Sequence, residues 1–480
     1  MYMSSSLKTG NSQMNGKGIS HPFGMDDTIA AISTPPGKGG IAVIRISGIH
    51  SIEVMQKIVK IPNVQDVKSH MAHHGWIYDG NEVVDEAITT VYEKPNSYTG
   101  EDVVEISCHG GNYVSKRILN LILEQGVRAA DPGEFTKRAF MNGKIDLAQA
   151  EAVSTLIEAK SEAARKIAVS QLEGKLSQKI LHVREELIKA CSLLEMDLDF
   201  SDEGYSGLSK DEIRLLLDQA VISVEELMGT FKTGRMCTEG IRLTIAGRPN
   251  VGKSSLMNEL VQKERAIVTE IPGTTRDTLE EWIDIEGLPF KIIDTAGMRE
   301  TDNPIEMKGI ERAKKAMENA DIILLLMDSS EPVTEMDYRL LDFVKSLDAY
   351  HMVLFSKCDL PSKADNFDQM QLRPQTPVLN ISVKDGTGIQ KLISALKKAA
   401  MQDEVHTGEE VILVQARQYD CLYRTQQNLL HAIQSFENEM SNEFVCLDIR
   451  GAIDSIGEIV GKTTTDDILN QIFTRFCVGK

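Results

Sequence analysis

The chain has 480 residues, 42% hydrophobic and 26% charged, with a formal net charge of −19. That length suits roughly two to four domains, the composition is that of a globular protein, and the acidic balance argues against a general nucleic-acid coat. Seven cysteines with no C-x-x-C pair argue against a disulfide framework or a structural zinc site and suit a reducing, cytoplasmic setting, with most of them expected as small core residues.

In chain order, residues 1–24 are polar with no apolar core, which reads as a disordered leader rather than a secretory signal. Residues 25–143 mix strand-like runs ("IAVIRIS", "AITTVYE", "DVVEIS") with turns ("TPPGKGG", "CHGGN"), predicting a small α/β or α+β domain. Lys116, Arg117, Arg128, Lys137, Arg138 and Lys144 cluster there; a solvated surface and a basic patch both remain open. From 144 to 236 apolar residues recur three and four apart (Leu147, Ala150, Val153, Leu156, Ile157), the period of amphipathic helices. From 237 to 400 strands alternate with helices: "IRLTIAG", "TLEEWIDI", "PFKIIDT", "DIILLLMD", "HMVLFSK" and "PVLNIS". The second and third form a hairpin across "EGL", and the rest predict a mostly parallel, doubly wound sheet. The longest apolar run, Ile322–Met327, has the length of a buried strand and not of a membrane span. Residues 401–480 return to helix. Helices, α/β unit, helices is the order expected of one helical domain split by a nucleotide-binding insert.

The insert carries "GRPNVGKS", Gly247 to Ser254, after a strand and before a helix, the context a phosphate loop requires. Its glycines let backbone N–H groups converge on phosphates, Lys253 supplies a cation, and Ser254 offers a hydroxyl to Mg²⁺. "PGTTRD" (272–277) places Thr274 and Thr275 in a loop able to close over a γ-phosphate and Mg²⁺. "DTAG" (294–297) ends a strand, with Asp294 in reach of Mg²⁺ through water and Gly297 offering an N–H. "SKCD" (356–359) and "SVK" (382–384) resemble guanine-reading loops in which an aspartate, here Asp359, accepts two hydrogen bonds that adenine cannot donate. Ser356 stands where asparagine is usual. Met298 stands where Ras-type proteins place the glutamine that orients water, and a thioether cannot do that work.

Taken with "TPPGKGGIAVIRISG", "SYTGEDVVEISCHGG", "PGEFTKRAFMNGKIDLAQAEA", "IIDTAGMRE" and the tail "FCVGK", these strings resemble the bacterial MnmE (TrmE) family of tRNA-modification GTPases from residue 26 to the last residue. The resemblance implies an N-terminal folate-binding and dimerisation domain, a helical domain and an inserted Ras-like G domain. It implies a homodimer that, with an FAD/NADH-dependent partner of the MnmG (GidA) type in a heterotetramer or larger, builds carboxymethylaminomethyl or aminomethyl groups on carbon 5 of the wobble uridine of certain tRNAs.

It also assigns residues. GTP is expected on Asn250, Val251, Gly252, Lys253, Ser254 and Ser255; on Thr269, Glu270, Ile271, Pro272, Gly273, Thr274 and Thr275; on Asp294, Thr295, Ala296 and Gly297; and on Ser356, Lys357, Asp359, Ser382, Val383 and Lys384. Potassium, in place of an arginine finger, is expected on Asn250, Thr269, Ile271 and Thr274, and Mg²⁺ on Ser254 and Thr275. The catalytic glutamate aligns with Glu306. Formyl-tetrahydrofolate positions fall on Arg45, Glu105, Lys144 and Lys480. From the residues alone, Arg45 and Glu105 are charges interrupting apolar strands, either gripping a ligand or facing solvent from edge strands. Cys477 can be a nucleophile, a redox group or a structural residue of a frayed end. Two rivals remain: a ribosome-assembly type switch, and a folate-dependent methyltransferase acting alone.

Overall fold

The computed structural model describes residues 27–62, 67–199, 210–263, 280–293, 313–363, 372, 376–400 and 411–480. They divide into two compact units: one within Met1–Ile145 and Thr465–Lys480, the other Asp146–Thr464.

The first unit is built on seven strands: β1 Ile29–Ile32, β2 Ile41–Ser47, β3 Val59–Lys60, β4 Ala72–Asp79, β5 Glu82–Tyr92, β6 Val103–His109 and β7 Arg128–Ala129. Their order is β3-β4-β5-β6-β2-β1-β7. Period-two alternation gives each strand two faces. Ile44, Ile46, Val104 and Ile106 pack with Val54, Met55, Ile118 and Ile122 of helices Ser51–Ile58 and Asn112–Leu123. On the opposite face, Ile29 and Ala31 pack with Phe135 and Tyr98. Helix Glu134–Met141 follows β7.

Residues 465–480, which the sequence reading placed at the end of the helical domain, cluster with this unit. The physical reason is aromatic burial and backbone pairing. Phe473 and Phe476 are buried, their rings 5.4 Å apart, and Phe473 lies 6.5 Å from Phe140. Lys137 Nζ donates to Asn470 Oδ1 at 2.8 Å, and Gly133 N–H to Cys477 O at 3.4 Å. Helical periodicity shows that Asp466–Phe473 is a helix; it does not show against what the helix packs.

In the second unit, helices Lys175–Asp199, Lys210–Gly229, Ala416–Glu437 and Asn442–Val460 share one core around Leu187, Leu217, Leu422, Leu429 and Ile449. The other core surrounds six strands, β8 Ile241–Gly247, β9 Glu280–Ile285, β10 Leu288–Ile293, β11 Ile322–Asp328, β12 Tyr350–Ser356 and β13 Val378–Asn380, in the order β13-β12-β11-β8-β10-β9. Only β9 runs antiparallel, as a hairpin partner of β10. The mostly parallel sheet and the "EGL" hairpin are therefore as the sequence predicts. Where the chain leaves and rejoins the helical core, Ile412 and Val414 face the sheet core while Leu413, between them, faces the helical core. Leu413 N–H donates to Thr230 Oγ1 at 3.0 Å.

Candidate functional site

The phosphate loop joins β8 to helix Lys253–Lys263. Gly247 has φ 150° and Asn250 and Gly252 have φ 64° and 100°. Alternating backbone handedness of this kind converges N–H groups into an anion-binding concavity. Gly247 is also a matter of space: a Cβ there would lie 2.5 Å from Leu326 O on the neighbouring strand β11. Asparagine is among the few non-glycine residues that take a left-handed φ readily, so Asn250 suits its place on backbone grounds alone. Lys253 Nζ donates to Gly247 O at 2.9 Å and Arg248 O at 2.7 Å, so the ammonium ties the start of the loop to its end. Arg248 Nε bonds Asp337 Oδ1 at 2.8 Å; Asp337 is buried and caps helix Glu335–Lys345. Ser254 and Ser255 sit exposed in the first turn of the helix.

The two loops that the sequence expects to read the base lie at the ends of β12 and β13. Ser356 is buried, and its hydroxyl bonds Val251 O in the phosphate loop at 2.7 Å and reaches Met327 O at 3.2 Å. The serine hydroxyl thus ties this loop to the phosphate loop, with one donor where an asparagine amide has two. Lys357, at φ 56°, pairs with buried Asp328 at 2.5 Å. Burial pushes the Asp328 carboxyl up, but the bonds from Lys357 and Ser330 outweigh it and hold it below the ordinary carboxylate range. Ser382 Oγ donates to Asp359 Oδ1 at 2.8 Å, which aims the exposed carboxylate and joins the second base loop to the first. Cys358 N–H reinforces this through Ile381 O at 3.2 Å. Val383 and Lys384 continue that loop. Three loops, the first 105 residues from the second and the second 23 from the third, therefore meet at the C-terminal ends of parallel strands, where doubly wound sheets bind nucleotides. A cavity of 760 Å³ opens elsewhere, at the other ends of β8, β11 and β12, beside Ile241, Ile322 and Tyr350; it contains none of these residues.

The remaining G-domain residues of the sequence reading, Thr269 to Thr275, Asp294 to Gly297, Met298 and Glu306, lie outside the described residues.

In the first unit, Arg45 and Glu105 face each other across β2 and β6. Arg45 Nε and Nη2 both bond Glu105 Oε1, at 2.9 and 2.7 Å, and the guanidinium lies over the rings of Tyr98 (5.2 Å) and Phe135 (5.6 Å). β2 and β6 are interior strands, so the edge-strand explanation for these two charges fails. Their pairing leaves Glu105 Oε2 without a bond to any described residue. Lys144 Nζ donates to Pro95 O at 2.9 Å, in the loop that carries Tyr98. At the tail, Ser33 Oγ donates to Gly479 O at 3.1 Å, and a Cβ on Gly479 would lie 2.6 Å from Ile32 O. Lys480 is thereby held beside the end of β1, and the frayed-end alternative for the tail fails. Cys477 is exposed; Cys358 is half-buried and the other five cysteines are buried.

The basic cluster does not form one surface. Arg138 is fully buried, bonded to Asp27, Glu101 and Glu134, while Arg117 pairs with Asp79 and Arg128 with Asp27 and Glu134. Glu134, one helical turn before Arg138, is a local partner, but Asp27 and Glu101 come from distant segments, so the sequence does not separate Arg138 from its exposed neighbours.

A strand–loop–helix phosphate cradle joined by Ser356 and Ser382 to two base-facing loops, on a mostly parallel sheet, defines a P-loop protein of the GTPase type. Residues 28–144 match the family model described as GTP-binding protein TrmE N-terminus, and residues 147–477 that described as MnmE helical domain. A protein of Thermoanaerobacter sp. (strain X514) described as tRNA modification GTPase MnmE is 39% identical over 459 residues, covering 95% of this chain and 99% of that one. One of the same description from Aquifex aeolicus (strain VF5) is 41% identical over 461 residues, covering 95% and 100%. The chain belongs to the MnmE family of tRNA modification GTPases. A crystal structure of Aquifex aeolicus Era bound to GDP.AlF4⁻ shares 24% identity and a TM-score of 0.26 over 39% of this chain and 66% of that one.

Proposed function

We propose that the protein hydrolyses GTP and couples that turnover to modification of tRNA. The observation that carries the nucleotide half is the pair of serine bonds, Ser356 to Val251 and Ser382 to Asp359, which hold phosphate-binding and base-reading loops on one rim. Family membership supports the tRNA half. Residues 250–255 cradle the phosphates, Lys253 neutralises them, and Asp359 accepts from the guanine edge. Ser254 and Thr275 would hold Mg²⁺, with Asp294 through water. Asn250, Thr269, Ile271 and Thr274 would hold potassium, which when bound supplies a fixed positive charge where Ras-type systems use an arginine. Glu306 orients the water that Met298 cannot.

The reading extends to two G domains closing on each other in a homodimer, and to an FAD/NADH-dependent partner that installs the carboxymethylaminomethyl or aminomethyl group. Arg45, Glu105, Lys144 and Lys480 suit a formyl-tetrahydrofolate: Glu105 Oε2 can accept from a pterin amide, and the lysines can pair with carboxylates. That group would supply the one-carbon unit. Cys477 lies on the same tail as Lys480, exposed for a thiol role. No helix of the described residues is long and apolar enough to cross a membrane.

The test is GTP hydrolysis by the full chain in potassium against sodium buffer, alongside Glu306→Ala. Potassium should accelerate turnover, and Glu306→Ala should lower it by roughly 10²–10⁴-fold with GTP binding intact. Equal rates in the two salts remove the potassium site, and lost binding in the variant removes the assignment of Glu306. Unmodified wobble uridines in a deletion strain separate this reading from a ribosome-assembly switch.

A further inference from the structure

Among the described residues, one group of potential metal ligands lies in the helical part of the second unit, with no role in nucleotide or folate binding. Cys191 and Glu195 stand one turn apart on helix Lys175–Asp199, and Cys446 faces them from helix Asn442–Val460. Both thiols are buried, 6% and 5% exposed, while Glu195 reaches partly into solvent. One ligand atom from each lies within 4.8 Å of the other two. Cys191 Sγ is 3.3 Å from Glu195 Oε1, and Cys446 Sγ is 3.8 Å from Cys191 O.

We propose that Cys191, Cys446 and Glu195 form a binding site for a thiophilic divalent cation of the zinc type, with solvent completing a tetrahedron. A tetrahedral ion with metal–sulfur bonds of about 2.3 Å and a metal–oxygen bond of about 2.1 Å needs ligand–ligand edges of roughly 3.6–3.8 Å. Cys191 Sγ stands 3.3 Å from Glu195 Oε1 and all three ligand atoms lie within 4.8 Å of one another, which brackets that edge, so an ion enters by small side-chain adjustments. Two sulfurs and one carboxylate select a soft or borderline ion over Mg²⁺ or Ca²⁺. Arg450 Nη2 bonds Glu195 Oε1 at 2.6 Å and its side chain is 64% exposed. It becomes the outer partner that orients the carboxylate while Oε2 meets the ion. The fourth position opens on the side where Glu195 and Arg450 meet solvent. An ion there would cross-link the helix that precedes the nucleotide-binding insert to one that follows it.

The test is cobalt(II) titration of the full, reduced chain, read by sulfur-to-cobalt charge-transfer absorption and then displaced by zinc. The expected result is one cobalt per chain with the intensity of two thiolates. Cys191→Ser and Cys446→Ser should each weaken binding by at least about 100-fold, and Glu195→Gln by about 10- to 100-fold, since outer-shell changes alone reach that range. Cys477→Ser should leave the band unchanged. If a core serine variant fails to fold, the wild-type band and the half-buried Glu195→Gln still decide. Absence of the band at saturating cobalt, or its survival in the Cys191→Ser/Cys446→Ser double variant, overturns the proposal.

Discussion

Ser356 shows how much one hydroxyl can carry. It is buried between β11 and the phosphate loop and donates to the carbonyl of Val251. A buried acceptor left without a donor costs about 1–3 kcal/mol. Ser356→Ala is therefore expected to weaken GTP binding by up to roughly 100-fold, measured by titration calorimetry, with Asp359 still oriented by Ser382. Unchanged affinity would reduce Ser356 to a space-filling residue. The motif "SKCD" was legible in sequence, and so was the departure at its first position; the consequence was not. Whether a serine reaches the phosphate loop depends on the spacing between β12 and that loop, which no local pattern encodes.

Elements are held by charges as well as by apolar faces. Helix Glu134–Met141 is fixed to β7 and to the 99–101 loop by Glu134, Arg138, Arg128 and Glu101, with Arg138 fully buried and its Nε without a partner. Burial pushes the Glu134 carboxyl up, but Arg128, the Asp131 N–H and Arg138 outweigh it and hold it below its ordinary 4.5. A carboxyl depressed on folding stabilises fully above its unfolded value, and that contribution is lost as pH falls from about 4.5 through the folded value. Acid unfolding of the first unit, followed by Trp76 emission in a Trp282→Phe background, should begin in that window. Glu134→Gln should flatten this acid limb and cost about 1.5–3 kcal/mol at neutral pH, because Arg128 and Arg138 lose their charge-assisted bonds to Glu134 while Arg138 keeps Asp27 and Glu101. An unaltered acid limb would place the titrating group elsewhere. Strand assignments followed the same division between local and distant information. "IAVIRIS" and "IRLTIAG" coincide with β2 and β8, since period and β-branched content are local. β1, β4 and the two-residue strands β3 and β7 were not picked out, because their short or mixed segments become strands only by pairing with neighbours.

For the full chain, the junctions of the nucleotide-binding insert decide how the second unit holds together. Gly240, between helix Phe231–Glu239 and β8, has φ 82°, and a Cβ there would lie 2.5 Å from the Trp282 ring. Lys160, from the helical part, sits 3.8 Å over the same ring. Trp282 is on β9, directly after the segment that carries Thr269 to Thr275. Gly240→Ala is expected to cost about 1–3 kcal/mol in backbone strain before any clash, and to shift the emission of Trp282 in a Trp76→Phe background. An unshifted spectrum with unchanged stability would mean that the ring moves aside freely.

Local chemistry made the G domain, its insertion between helices and its phosphate loop readable from the residues, because glycine turns, a lysine after a strand and the two hydrophobic periods are written within a few positions of each other. Tertiary packing alone decided the rest. It seated the tail beside β1, brought Asp27 and Glu101 to the buried Arg138 and paired Arg45 with Glu105. It also brought Cys191 to Cys446 across 255 residues of chain. Those outcomes depend on which faces meet, and the free energy of a meeting face is shared by both partners, so neither stretch of sequence carries it alone.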